Sequence, residues 1–500
     1  MTMPQSWPYW EEPGESFETL PTFNEPNQRQ LLRSFFFVAL ALIGYQLFGV
    51  KTDSFLNNIG AALITASALY PGYLWCSGKA KGMPIYPFFA LTYTWTHALP
   101  LVTDHPAVTT YSPESRFFAS LTVSGFLLLG TWSWLRLVKD TFPTPDHYLM
   151  LNEKKGDTFF LAILAGGVLF YVSSIGGWGI FDGTLFSTIR NAVLGLSALA
   201  SFILAYRLGQ NELSRWQAGL FLGLLLLYMM TSAIGLLLIG AASTFLVATL
   251  AFIIGRRRVP IVAILIIVTC LFLLHYGKSE MRSRYWAIGI PTMQPWDYPA
   301  WYSEWANYGL ESFGRSEEES EPEDEEVSLL ERSSVIHMLL LAQSKSPETI
   351  PYMMGKTYAI LPQVVVPRAL NPDKIRTTEG THLISVHYGL QTYEQTLNTS
   401  ISWGLLAESY ANFGLVGVGG LALLFGWGYG KVGQWTIGAP ILSAQSLYSI
   451  LFVTFALQTE WTAGVYVAAL FQSSVVVGAI VVCFMRKQWV SPYPEHSYDL

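Results

Sequence analysis

The sequence predicts an all-α polytopic membrane protein of about twelve transmembrane helices, with one long extracytoplasmic loop that contains short helices. Three observations lead there. Hydrophobic residues make up 51% of the 500-residue chain and charged residues 13%, against about 25% charged in an average soluble protein, which leaves too little polar surface to enclose a water-soluble globule. Apolar runs of about twenty residues, the length that crosses a hydrocarbon core, recur along the chain. Polar residues gather instead in the two tails and in a single segment, 277–403.

Residues 1–32 are proline-bearing and acidic with no sustained period, and read as a cytosolic tail. Apolar runs follow at roughly 34–50, 55–76, 84–102, 116–138, 158–175 and 185–206. The run from Gln217 to Gly255 is 39 residues, near twice one span at about 1.5 Å per residue, and reads as a hairpin turning near Thr231 to Gly240. A further run at roughly 259–276 completes helices 1–9 within 33–276; runs at roughly 404–430, 440–458 and 462–485 supply helices 10–12 within 404–486, and 487–500 is a second cytosolic tail. Lys and Arg collect in short cytoplasmic loops. With the amino terminus inside, Arg29 and Arg33, Lys79 and Lys81, Arg136 through Lys155, Arg207 and Arg215, Arg256 to Arg258, Lys431, and Arg486 with Lys487 share that side. The hairpin is what makes the parity work, and it sends 277–403 to the opposite face.

The net charge of −6 is dominated by one local acidic run and gives no support to a nucleic-acid partner. Cys76, Cys270 and Cys483 lie in or at the ends of apolar segments and read as buried thiols. Within the long loop, the spacing of ERSSVIHMLLLA predicts an amphipathic helix over Glu331 to Ala342. The aromatic cluster Trp286, Trp296, Tyr298, Trp301, Tyr302, Trp305 and Tyr308 fits a surface at headgroup depth better than a sugar-stacking platform. EEESEPEDEE at 317–326 has eight acids in ten residues and reads as a solvated stretch, lacking the ligand spacing of a calcium loop.

Chemistry concentrates between Pro362 and Phe413, where Arg368, Lys374, Arg376, His382, His387 and Glu408 fall. The loop has no DxD pair, no metal-ligand cluster, no GxSxG elbow and no phosphate-cradling GxxxxGK[ST], so no metal and no cofactor is expected. Its bases, Lys278, Arg282 and Arg284 after the ninth helix and Lys356, Arg368, Lys374 and Arg376 later, suit an anionic lipid headgroup, because guanidinium forks match phosphate oxygens. Snorkelling to phospholipid phosphates is the plainer reading of Lys278 and Lys356. Arg368 stands between Pro367 and Pro372, which hold it on a stiff loop. His382 and His387 can exchange a proton near neutral pH. Glu408 lies about one turn inside a membrane helix, where two readings stay open: pairing with a loop arginine, or service as a general base. Glu460 fits a solvated turn, and His97, Asp104 and His105 fit the rim. Asn398 in NTS matches a glycosylation acceptor by a motif that is common by chance.

Two stretches resemble a known family. VVPRALNPDK is similar to a PR-x-x-x-P-x-K element, and GLLAESYANFGLVGVGG to a G-x-x-x-E-x-Y-x-N-F-G-x-x-G helix start, of the O-antigen polymerase and oligosaccharide repeat-unit polymerase group of bacterial envelope glycosyltransferases. The layout of a dozen spans with a long outer loop before the last three resembles the same group. The resemblance implies a metal-independent C-type glycosyltransferase of the bacterial inner membrane, with both termini cytoplasmic. It would transfer a glycan from polyprenyl diphosphate to the terminal sugar of another lipid-linked unit. Implied partners are polyprenyl-diphosphate-linked oligosaccharides and membrane lipids, with a chain-length regulator or flippase as candidate protein partners. Arg368, Arg376, Lys374, Arg282 and Arg284 would bind the diphosphate, and Glu408, His382 or His387 would take the acceptor proton. An O-antigen ligase shares this layout, and an exporter or flippase would handle the same lipids.

Overall fold

The computed structural model describes residues 25–103, 105–140, 145, 147–178, 183–236, 238–285, 291–314, 334–366, 371, 374–397 and 400–489. The amino-terminal tail to residue 24, the acidic run 317–326, Arg368, Asp104, Asn398 and Trp286 lie outside the described residues.

A helix lies at each of the twelve predicted positions. In order these are α1 (Glu25–Gly44, continued by a π-helical turn to Gly49), α2 (Phe55–Cys76), α3 (Ile85–Tyr93), α4 (Pro113–Val138), α5 (Glu153–Ile175) and α6 (Gly183–Gln210), followed by α7 (Arg215–Ala233), α8 (Leu238–Arg256) and α9 (Ile261–Tyr276). The long segment contributes α10 (Lys278–Tyr285), α11 (Tyr298–Gly314), α12 (Ile336–Lys345), α13 (Leu361–Val365) and α14 (Glu379–His387), and the chain closes with α15 (Leu405–Trp435), α16 (Ala444–Ala456) and α17 (Ala463–Phe484). This is an all-α polytopic membrane protein. Among the described residues seven helices are long and apolar enough to cross a membrane, and α9 with α10, bent by 47°, makes up to eight.

The third predicted span departs from one straight helix. After α3 the chain passes through a π-helical turn, Thr94–Ala98, and a 3-10 turn, Leu99–Leu101. Pro100 has no N–H to give the carbonyl of Thr96 four residues earlier, and that carbonyl instead accepts Val335 N at 2.9 Å. The break ties the head of α12 to the bundle. The hairpin predicted within 217–255 is formed by α7 and α8, with Leu236 at φ +57° in the turn.

Small residues set the helix spacing. A Cβ on Gly426 of α15 would fall on the carbonyl oxygen of Gly130 in α4, and one on Gly255 of α8 would overlap the Tyr206 carbonyl of α6. Apolar surface gains little from leaving lipid, so close backbone approach supplies the packing energy. α2, α3, α4 and α15 form one group and α5–α8 another, while α16 and α17 touch both.

One end of the bundle carries a two-stranded antiparallel sheet, β1 (His147–Met150) with β2 (Arg486–Trp489), and the Arg257 guanidinium lies 4.6 Å from the Trp75 ring. These segments are ones the charge parity assigned to a common side. At the opposite end, the loop end, buried Arg116 grips Asp53 with two bonds of 2.8 and 2.6 Å.

The aromatic cluster corrects the headgroup-surface expectation. Trp301, Trp305 and Tyr298 are buried, and among the described members Trp296 is strongly exposed. α11 packs on α9, where a Cβ on Gly309 would strike the Leu273 carbonyl and one on Gly277 the Trp305 carbonyl, so the rings turn inward.

Candidate functional site

The site grows from a break in α15. Gly414 has φ 59° and ψ −145°, a conformation that interrupts the helix and that side chains other than glycine's hardly tolerate. The carbonyls of Ala411 and Asn412, released from the helical ladder, accept the N–H groups of Met353 and Met354 at 3.0 and 3.1 Å. Asn412 completes the clasp. Its Oδ1 accepts Gly355 N at 3.0 Å, and its Nδ2 donates to Thr357 Oγ1 and to the Glu408 carbonyl, both at 2.8 Å. The 353–357 stretch is thereby sewn onto the broken helix.

The start of α15 is fastened to the turn between α16 and α17. Gly404, at φ +75°, donates its N–H to the Glu460 carbonyl at 3.0 Å, and Leu405 donates to the Thr459 carbonyl at 3.2 Å. Glu408 is fully buried, and its Oε2 accepts Ala463 N at 2.6 Å. A carboxylate at the first turn of α17 meets the positive end of that helix's dipole. Thr381 and Thr462 then join α14 to the same turn through hydroxyls 2.7 Å apart.

Beneath this roof runs a groove of about 670 Å³ between α15, α16 and α17. Tyr358, Leu361, Leu405 and Ala463 line its roofed end, and Phe425, Gly428 and Phe452 line it further along. Val416 and Leu424 on its edge are exposed, so it opens to the side of the bundle. The stretch Leu415 to Tyr429 that walls it extends about 21 Å at helical rise. Gly420 and Gly428 leave room, since a Cβ on either meets no atom within 4 Å. Four of its eighteen lining residues carry a hydroxyl, and two of those, Tyr429 and Tyr466, satisfy each other at 2.7 Å. The groove suits a hydrocarbon chain.

The roof carries some of the residues singled out from sequence. Arg376 is exposed and Lys374 half-buried, on the segment leading into α14. His382 is buried, with Nδ1 3.9 Å from Glu379 Oε2. Burial lowers its pKa below the ordinary histidine value; Glu379 pulls it back up and Arg376 pushes it further down. His387 points elsewhere: five residues along a helix turn the side chain to another face, and its Nε2–H donates to the Pro351 carbonyl at 2.8 Å. Arg282 donates to the Leu236 carbonyl at 2.8 Å, capping the α7–α8 turn. Arg284 pairs with Glu280 at 2.9 Å and lies 4.6 Å from the Tyr308 ring. These two arginines belong to α10 and its packing on α11, whereas Lys374, Arg376 and His382 belong to the roof on α17. Glu460 is half-buried in the α16–α17 turn, and burial raises its carboxyl above the ordinary value. Among the described residues no group of three or more His, Cys, Asp or Glu side chains is placed to hold a metal ion.

Sequence reasoning did not find the clasp partners Gly355, Thr357 and Ala463, nor the groove. A signal for the groove was present: GLVGVGGLALLFGWGYG strews glycine along one spanning helix, far more than helix formation favours. No family model, curated protein or solved structure matches this chain.

Proposed function

We propose that this protein polymerises lipid-linked oligosaccharide repeat units, transferring a glycan from polyprenyl diphosphate to the terminal sugar of a second lipid-linked unit at the outer face of a bacterial inner membrane. The observation that carries this reading is the side-opening apolar groove whose closed end lies under the segment bearing Lys374, Arg376 and His382. Such a cavity fits an amphiphile with a long hydrocarbon tail and an anionic head. The tail gains little from leaving bulk lipid, so the groove selects by shape while the cations supply affinity.

In this reading Arg376 and Lys374, with Arg368 on the same loop, bind the diphosphate and offset the charge that grows on it as it leaves. The acceptor hydroxyl oxygen forms a bond to the anomeric carbon, the bond from that carbon to the diphosphate oxygen breaks, and the leaving group keeps the electron pair. His382 takes the acceptor proton; burial keeps its imidazole neutral, the form a base needs. Glu408 positions the site by holding α17 against α15. The span count of twelve and the cytoplasmic placement of both termini belong to the same proposal.

The test is reconstitution of purified protein in lipid with polyprenyl-diphosphate oligosaccharide from its own host, in the presence of a chelator, with products separated by size. A ladder of repeat multiples is expected. Absence of a ladder overturns the polymerase reading: single transfer to a non-lipid acceptor points to a ligase, and movement of the lipid-linked sugar across the vesicle wall to an exporter.

A further inference from the structure

A second cavity, about 230 Å³, lies on the other side of the α16–α17 turn, walled by α5–α8 together with α16 and α17. Its chemistry contrasts with that of the groove. Nine of its seventeen lining residues carry a hydroxyl, amide or indole N–H, and none is charged. Ser232, Ser243, Thr244 and Thr454 each donate their proton to a carbonyl of their own helix, at 2.9 to 3.2 Å. Their oxygens keep lone pairs, so the wall is rich in acceptors. Gln458, Trp461 and Ser473 line the same cavity with polar groups that no protein partner engages among the described residues. The rings of Tyr171, Tyr228 and Phe455 complete the wall.

Acceptor oxygens without charge, a free amide and a free indole N–H, and flat aromatic faces make one combination whose polar atoms a hydrocarbon tail would leave unsatisfied and that offers an anion no countercharge. A pyranose ring uses all of it: its hydroxyls donate to the serines and threonines and accept from Gln458 and Trp461, and its C–H face rests on an aromatic ring. Ser232 and Gly240 flank the α7–α8 turn, and Gln458 and Trp461 belong to the turn that also carries Ala463 at the groove's closed end. The cavity therefore shares the α16–α17 turn with the roof, where Thr462 meets Thr381. We infer that it holds one uncharged sugar ring of the acceptor unit and sets which sugar is accepted. The assignment to the acceptor rests on the polymerase reading; the presence of a neutral-sugar site does not.

The experiment uses the full chain in nanodiscs, titrated with the neutral monosaccharides of its host's envelope glycan and with glucuronate, and read by saturation-transfer NMR and Trp fluorescence. Two variants are compared. Gly195→Leu fills the cavity from α6, where a Cβ makes ordinary 3.4 Å contact with Ser473 Oγ, and Gln458→Leu removes the free amide. Saturable binding of a neutral sugar, weakened at least tenfold in both variants and at least tenfold weaker for glucuronate, is the expected result. No binding, or binding equal in wild type and Gly195→Leu, overturns the inference, as does a co-purifying phospholipid that Gly195→Leu expels. Sugar binding lost in Gly195→Leu, in a protein that builds no ladder, keeps the pocket and removes the polymerase reading. A ladder unchanged by Gly195→Leu keeps the polymerase reading and removes the assignment of the pocket to the acceptor.

Discussion

Replacing Gly414 by alanine tests the clasp on which the proposed site depends. The backbone there, φ 59° and ψ −145°, costs a residue with a Cβ about 1–3 kcal/mol. The new Cβ would also fall 2.7 Å from Tyr352 Oη and 2.9 Å from its Cζ, so Tyr352 must swing away from Tyr410, its edge-on neighbour at 6.2 Å. That contact contributes about 0.5–1.5 kcal/mol. If the helix instead straightens to escape the strain, it reclaims the Ala411 and Asn412 carbonyls, and buried Met353 loses its acceptor at a cost of about 1–3 kcal/mol. The strained route gives a loss of about 1.5–4.5 kcal/mol and the straightened one about 1–3 kcal/mol. Gly419, five residues along the same helix, is the control. Its Cβ would make ordinary contact with Leu129 at 3.8 Å, so Gly419→Ala should stabilise by up to about 1 kcal/mol. The assay is the thermal-inactivation half-life of each variant in one detergent, because proteins of this size commonly unfold irreversibly. Cleavage by trypsin at Lys356 reports separately on release of the docked segment. If Gly414→Ala and Gly419→Ala shift the half-life in the same direction, the reasoning fails.

Filling the groove should separate stability from function. Gly420→Leu meets no atom at its Cβ and should leave the half-life unchanged or longer, while cutting ladder formation at least tenfold; full activity would remove the groove from the mechanism. Arg376→Ala, at an exposed position, should leave stability unchanged and lower the initial rate of ladder formation about 10–100-fold, the worth of a charge-assisted contact of about 1.5–3 kcal/mol. His337 in α12 is held by burial at about 4, with His105 stacked on it at 5.6 Å adding to the shift. A folded-state pKa below the unfolded value of about 6.5 means that the unfolded chain takes up the proton first. Stability is therefore flat above about pH 6.5 and falls as pH drops towards 4, by about 3 kcal/mol. Half-lives measured from pH 8 to 4 should slope less steeply in His337→Gln, and identical slopes would remove His337 as the cause.

Much of the fold was legible because bilayer thickness sets a length on each apolar run: a helix lies at each expected position, seven of them among the described residues, or up to eight with the bent pair, being long and apolar enough to span, and the expected hairpin turns at Leu236. Helix identity was local; helix partnership was not. Nothing near Glu408 in the sequence announces that its carboxylate caps an amide 55 residues later, and the arginine partner considered for it is not what Oε2 meets. The aromatic cluster misled because composition tells how apolar a helix is, while two glycines, Gly277 and Gly309, decide which face can approach α9. The basic residues illustrate the same limit: Arg282 and Arg284 read like Arg376 in sequence, yet they serve a turn carbonyl and a neighbouring glutamate. The glycines of GLVGVGGLALLFGWGYG hinted at close or open space along α15, but not at the groove's shape, since it is a space left between three helices.

The bond from Ala463 to Glu408 also imposes an order on biosynthesis. Residue 408 is made long before residue 463, so through the synthesis of α15 and α16 the buried carboxylate has no helix end to receive it and the roof has no wall to rest on. The last spanning helix is the one that closes both. A chain released before α17 would be rich in apolar surface and already inserted, yet it would lack the closed end of the groove. Synthesis of α17 and formation of the groove's roofed end thus arrive together, and a product that stops short of α17 would carry α15 with its buried carboxylate uncapped.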